Sequence, residues 1–167
     1  MTQQKRYQFF GAGLFLGALL GLIPGFGLGV YFLPILTEQA GVSEEIISTA
    51  QSSGILSGEF DPMLKGSDAL HWGEGTITLS RESGRLYLTL DGRVAPGPDY
   101  RLYLSRVPVE DKAEFLAVKD TSMHIANINS FTNFRHQVPD YVDINQFNNV
   151  VVWCERFSQF ITAAPLR

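Results

Sequence analysis

The chain has 167 residues, of which 45% are hydrophobic and 18% charged, and it contains one cysteine. This composition predicts a folded protein and excludes a disordered one, because it offers enough apolar side chains for a core. The net charge is −4, and beyond residue 37 there are 11 basic and 17 acidic residues. Nucleic acid is not an expected partner, since such an acidic region has no cluster of Lys and Arg for phosphates.

A long uncharged segment lies near the N-terminus. Between Arg6 and Glu38 there are 31 consecutive residues without charge, and a membrane-spanning helix needs about 20. The apolar part is longer than the roughly 7–15 residues of a signal-peptide core and has no A-x-A-like cleavage site. We therefore expect residues 1–37 to form a retained signal anchor that binds the membrane through residues 7–37.

The orientation of this anchor follows from its flanking charges. Lys5 and Arg6 precede the uncharged segment, and the next basic residue is Lys65. The positive-inside rule then predicts a cytoplasmic N-terminus. Residues 38–167 are expected on the other side, in the periplasm or outside the cell.

Glycines recur at every fourth position within the anchor. They are Gly13, Gly17, Gly21, Gly25 and Gly29. This spacing lines one face of a helix and lets a second backbone approach closely, which predicts a homodimer or docking onto another helix. The alternative is ordinary composition, because glycine is common in membrane-spanning helices.

Residues 38–53 are predicted to form a linker or a short helix. Ser43 is a favoured N-cap residue, and Glu44 and Glu45 follow it as acidic first-turn residues. We expect this segment to act as a stalk between the bilayer and the domain that follows.

Residues 54–167 are predicted to form an all-β domain, because short β-rich runs alternate there with turn residues. The predicted strands are Gly54–Phe60, Gly75–Ser80, Arg85–Leu90, Tyr100–Ser105, Glu114–Val118, Phe134–Val138, Val150–Glu155 and Gln159–Ala163. Short strands at this spacing indicate an antiparallel β-sandwich of two sheets. Val150–Cys154 is apolar on both alternating faces, so it is expected to be a central strand.

Cys154 is the main candidate for chemistry. Exported proteins normally pair their thiols in disulfides, so a single thiol is either a small buried apolar side chain or a redox group. Arg156, two residues on and predicted on the same strand face, would lower the pKa of the thiol. His71, in the loop before Trp72, is a second candidate for tuning the site, against the alternative of a solvated loop histidine.

Motifs for most cofactors are missing from the sequence. Without C-x-x-C-H or C-x-x-C, covalent c-type haem and a thioredoxin-type dithiol are excluded. Blue copper needs two His, a Cys and usually a Met, but no His or Met follows Cys154, and zinc would need more thiols or a tighter His pair. No metal site is therefore predicted, and the cofactor is unknown. Two kinds of chemistry stay open for Cys154, namely reactions of the thiol itself and axial ligation of a non-covalent haem.

Several groups of residues together resemble the DM-thirteen domain family. They are His71–Thr76, Gly97–Tyr100 leading into Tyr103–Ser105, and Val151–Phe157 followed by Ala163–Leu166. The similarity covers about residues 54–167, and the order, the spacing and the closing W-C-x-x-F motif make it specific. The resemblance implies a β-sandwich of extracellular or bacterial envelope proteins. It also implies a role in electron transfer or other redox reactions, with Cys154 as the active group.

Two functional hypotheses follow. In the first, the protein is a membrane-tethered extracytoplasmic redox module centred on Cys154, with Arg156 and His71 as tuning residues and an unidentified redox or protein partner. In the second, it is a non-catalytic β-sandwich for binding or assembly at the cell envelope, and Cys154 is inert. The first requires an accessible thiol of low pKa, and the second predicts a thiol protected until unfolding.

Overall fold

The computed structural model of the protein describes residues 3–167, with side chains from residue 10 onward apart from Tyr31. The first two residues of the predicted anchor 1–37 lie outside the described residues. The chain divides into two compact units, Met1–Thr37 and Glu38–Arg167.

The first unit contains one long helix, α1, Gln3–Leu36. Within it, Phe10–Val30 has a mean hydropathy of 1.9 and is long and apolar enough to cross a membrane. That length and composition make it a candidate membrane anchor, since about 20 apolar residues suffice to span a bilayer.

The second unit is a β-rich domain of two antiparallel four-stranded sheets, with strand order β1-β2-β3-β6 in one and β5-β4-β7-β8 in the other. The strands are β1 Gly54–Phe60, β2 Gly73–Glu82, β3 Arg85–Val94, β4 Tyr100–Ser105, β5 Met123–Ile128, β6 Arg135–Gln137, β7 Asn149–Cys154 and β8 Gln159–Pro165. The helices are α2 Glu44–Ser52 and α3 Lys112–Val118, with 3-10 turns at Lys119–Thr121 and Ile144–Gln146.

The two sheets face each other across one apolar core. Alternate residues of both sheets point into it, as the two-residue period of a strand requires. The buried set includes Ile77, Leu79, Leu88, Leu90, Leu102, Leu104, Val150, Val152 and Ile161. The predicted arrangement of two packed sheets is therefore confirmed.

The expectation of a purely all-β domain was wrong at one segment. The predicted strand Glu114–Val118 belongs to helix α3, whose N-cap Asp111 accepts a hydrogen bond from the Glu114 backbone N–H at 2.9 Å. The Glu114 carboxylate in turn accepts from the Glu110 backbone N–H at 2.7 Å. This reciprocal capping favours a helix start, and the helix buries Phe115 on the outer face of the second sheet.

The boundaries of the remaining elements differ by small amounts. Strands β1 and β4 have the predicted bounds, and β2 and β3 extend further because they form a hairpin through Ser83 and Gly84. These two residues have φ of 48° and 83°, which suits the tight turn that matches strand twist. Strand β5 was not predicted.

Candidate functional site

Strand β7 carries the candidate cysteine and lies between β4 and β8 in the second sheet. All six of its residues are buried, so the predicted central strand is confirmed. Val152 and Cys154 belong to the core between the sheets. Val151 and Trp153 belong to a second apolar cluster on the outer face, beneath α3.

Cys154 is the last residue of β7 and is only 2% exposed. It pairs with Tyr100 on β4 and with Gln159 on β8. Its Sγ donates a hydrogen bond to the Pro98 carbonyl oxygen at 3.0 Å, and a thiol can do so only while it keeps its proton.

The surroundings of Cys154 favour the neutral thiol. Burial is the largest influence and raises the pKa of Cys154, and the charge of Asp99 acts in the same direction. The backbone N–H groups of Phe157 and Arg156 and the charge of Arg156 oppose this shift without cancelling it. At neutral pH the group is therefore a protonated thiol, not the thiolate that reacts as a nucleophile.

The segment 95–99 covers the thiol and is closely fitted to its neighbours. A Cβ added at Gly97 would lie 2.3 Å from the Tyr100 hydroxyl oxygen. Tyr100 is itself buried and makes an edge-to-face contact with Phe131, with ring centroids 5.8 Å apart. Glycine at position 97 thus lets the backbone pass close to the Tyr100 ring and carry the Pro98 carbonyl to Cys154.

Arg156 does not share a strand face with Cys154, which corrects the expectation from residue spacing. β7 ends at Cys154, and Arg156 lies in the exposed turn to β8. That turn is closed by a hydrogen bond from the Ser158 N–H to the Glu155 carbonyl, and Ser158 has φ of 48°. The guanidinium acts on the thiol only as a nearby charge.

His71 lies in the loop between β1 and β2, at the end of the sandwich where β7 finishes. Its Nδ1 contacts the Asp68 carboxylate at 2.8 Å. The hydrogen bond from His71 is the main reason why the pKa of Asp68 is lowered. Within residues 3–167, the hydrogen bonds of His71 go to Asp68 and none joins it to Cys154.

In the part of the chain that the structure describes, no three His, Cys, Asp or Glu side chains lie close enough together to hold a metal ion. Haem ligation by Cys154 would require the Pro98 carbonyl to leave Sγ. Reaction of the thiol with a partner would require the same displacement of the closely fitted segment 95–99, so this segment controls access to Sγ in either case.

A polar cluster that was not predicted lies on the outer face of the second sheet. The Tyr103 hydroxyl donates a hydrogen bond to Glu155, and the other Glu155 oxygen accepts from Lys119 at 2.8 Å. Burial, reinforced by Glu155, raises the pKa of Tyr103. The strand alternation, which places Tyr103 and Glu155 on the outer face, was the only sequence signal for this cluster. Lys119 could not be assigned to it, because the sequence predicted a strand where α3 precedes Lys119.

Comparison with known proteins adds a family assignment. The model of the family described as Electron transfer DM13 matches residues 63–166. No curated protein and no solved structure matched the chain. The matched segment begins in the loop before His71, includes Cys154 and its covering segment 95–99, and makes up more than half of the chain, so this protein belongs to the DM13 electron-transfer family.

Proposed function

We propose that this protein is a membrane-tethered extracytoplasmic module for electron transfer, with Cys154 as its redox group. The observation that carries the proposal is the family match over residues 63–166, described as electron transfer. Cys154 is the only cysteine of the chain, and it ends strand β7, where the Pro98 carbonyl of segment 95–99 accepts its hydrogen bond. Arg156 and His71 are proposed as secondary tuning residues at the same end of the sandwich.

The membrane location rests on the anchor. The segment Phe10–Val30 supports single-pass attachment, and the basic residues that precede it support a cytoplasmic N-terminus. The glycines at every fourth position support a homodimer through this helix. The domain would then be tethered to the membrane.

The chemistry proposed for Cys154 is thiol–disulfide exchange with a partner protein. The Cys154 sulfur attacks one sulfur of the partner's disulfide, so that a new S–S bond forms and the old one breaks. The Cys154 proton leaves with the departing thiol of the partner. Because burial favours the protonated thiol, this step requires segment 95–99 to move away and admit both solvent and partner.

The second candidate function is a non-catalytic module for binding or assembly at the envelope. The burial of Cys154 at 2% exposure and its raised pKa favour this alternative. In that case the hydrogen bond to Pro98 serves only to fix segment 95–99 against the sandwich.

Alkylation of the full chain in detergent separates the two functions. The rate of Cys154 labelling is measured at increasing urea concentrations below the unfolding transition, with Cys154→Ala as the unlabelled control. Labelling that is independent of urea indicates local opening of segment 95–99 and supports the redox function. Labelling that appears only with global unfolding rejects it in favour of the binding module.

A further inference from the structure

We propose that Tyr103 and Glu155 form a proton-coupled electron relay, in which Tyr103 gives up one electron and passes its hydroxyl proton to Glu155. The inference rests on the proposed electron-transfer function, but it uses the opposite face of the sheet and does not involve Cys154. The relay comprises Tyr103, Glu155, Lys119, Phe115 and Trp153.

The proton acceptor is already in place. The Tyr103 hydroxyl donates to one Glu155 oxygen, and Lys119 donates to the other at 2.8 Å. Tyr103 is 7% exposed, and the side chains of Lys119 and Glu155 are 26% and 20% exposed. A phenol in this position cannot pass its proton readily to bulk water, so the hydrogen-bonded carboxylate is its available base.

Glu155 is ionised and therefore able to take the proton. Burial alone would raise its pKa, but the hydrogen bonds from Lys119 and Tyr103 outweigh burial and lower the pKa of Glu155. An oxidised phenol is a far stronger acid than a carboxylic acid, so the proton moves to Glu155 once the electron has left. Arg101 also hydrogen-bonds to Tyr103 and partly offsets the raised pKa of its hydroxyl. His124 lies against the Tyr103 ring, with centroids 5.4 Å apart.

An aromatic path leads from Tyr103 into the domain. Its ring centroid is 5.5 Å from that of Phe115, which is 5.1 Å from that of Trp153. Phe115 and Trp153 are fully buried. Electrons can cross such short gaps between packed rings, so the surface at His124 is connected to the interior at Trp153.

The radical is expected to settle on Tyr103 and not on Trp153. The Trp153 Nε1 is buried without a hydrogen-bond acceptor, so an oxidised indole would keep its proton and its positive charge. Lys119 Nζ lies 5.5 Å from the Trp153 ring centroid and would repel that charge. Oxidised Tyr103 avoids this repulsion because it becomes neutral when Glu155 accepts its proton.

Oxidation of Tyr103 moves one proton and one electron. The Tyr103 O–H bond breaks, a Glu155 O–H bond forms, and one electron leaves for a one-electron oxidant. The oxidant is of the class of high-potential metal centres, either in a partner redox protein or as a photogenerated ruthenium(III) complex in the test. A one-electron donor of the class of reduced metal centres, in a second partner redox protein, then reduces the tyrosyl radical, the proton returns from Glu155 to the Tyr103 oxygen, and the starting state is restored.

The test is flash oxidation of the full chain in detergent with ruthenium tris-bipyridine and persulfate, followed by electron paramagnetic resonance. Tyr141 is 77% exposed and would react directly, so Tyr141→Phe serves as the background. A tyrosyl signal is expected in this background, and adding Tyr103→Phe should remove it. The matched control is Tyr87→Phe, which removes a hydroxyl from a ring packed against Arg135 and should leave the signal.

Glu155→Gln tests the proton transfer while preserving the shape of the side chain. Removing a positioned base should slow formation of the radical about 100-fold and make its rate dependent on buffer base. In Cys154→Ala the tyrosyl signal should persist, so the relay and the thiol proposal are judged by separate measurements. The relay is overturned if Tyr103→Phe keeps the signal of the background, or if Glu155→Gln leaves the rate unchanged.

Discussion

Replacement of Phe115 by alanine tests whether α3 covers the second sheet as the structure has it. The Phe115 side chain is fully buried and lies against the rings of Tyr103 and Trp153. Deleting a buried phenylalanine side chain removes its transfer free energy and leaves a cavity, at a cost of about 4 kcal/mol. Alanine is itself a good helix former, so the loss cannot be assigned to weaker helix propensity.

Urea unfolding of the domain, residues 38–167, measures this loss through tryptophan fluorescence. With a slope of about 2 kcal/mol per molar urea, the midpoint should fall by about 2 M. The slope itself should stay constant, because the same surface is exposed on unfolding.

Leu116→Ala is the matched control. Leu116 is the next residue of the same helix and is 48% exposed, so its replacement should change stability by less than about 0.5 kcal/mol. If Glu114–Val118 formed a strand, neighbouring side chains would point to opposite faces, and no side chain would be held over Trp153. Equal, small effects at the two positions would refute the packing of α3 described here.

Three further predictions concern segment 95–99 and two pKa shifts. Gly97→Ala should lower the free energy of unfolding by roughly 1–3 kcal/mol by overpacking against Tyr100, and it should speed Cys154 alkylation. An unchanged stability together with an unchanged alkylation rate would contradict the close fit of segment 95–99. The alkylation rate of Cys154 should keep rising beyond pH 9.0, and a plateau below that pH would disprove the raised pKa. Lys65 donates a hydrogen bond to Glu114 and thereby lowers the pKa of this carboxylate. The stability that Glu114 contributes to the folded state is therefore lost as pH falls below 4.5. Lys65→Met should make the urea midpoint less sensitive to acid in that range.

Much of the β structure could be predicted from local patterns. Strand β4 and the hairpin of β2 and β3 combine alternating apolar residues with turn residues at their ends, and both signals are local. Val150–Cys154 was recognisable as a central strand because both of its faces are apolar, and both are indeed covered.

The features that the sequence did not predict depend on contacts between residues that are distant in sequence. Helix α3 has seven residues, too few for a helical period to show, and its single buried residue packs against β4 and β7. Strand β5 alternates weakly, and its position is set by pairing with β4. Cys154 could be placed on a strand, but its hydrogen-bond acceptor, the Pro98 carbonyl, lies 56 residues earlier.

The alternation of β7 decides how the two proposed redox elements relate. Cys154 faces the core between the sheets, whereas Trp153 faces the outer cluster with Phe115. The sheet separates the thiol from the Tyr103 hydroxyl, although Cys154 is bonded through the backbone to both Trp153 and Glu155, and the Glu155 N–H donates to the Asp99 carbonyl at 3.0 Å. Gly97→Ala acts at the Tyr100 ring on the core side, so it should alter thiol reactivity more than it alters the tyrosyl radical. Glu155→Gln should do the reverse, because Glu155 meets Tyr103 and Lys119 on the outer face.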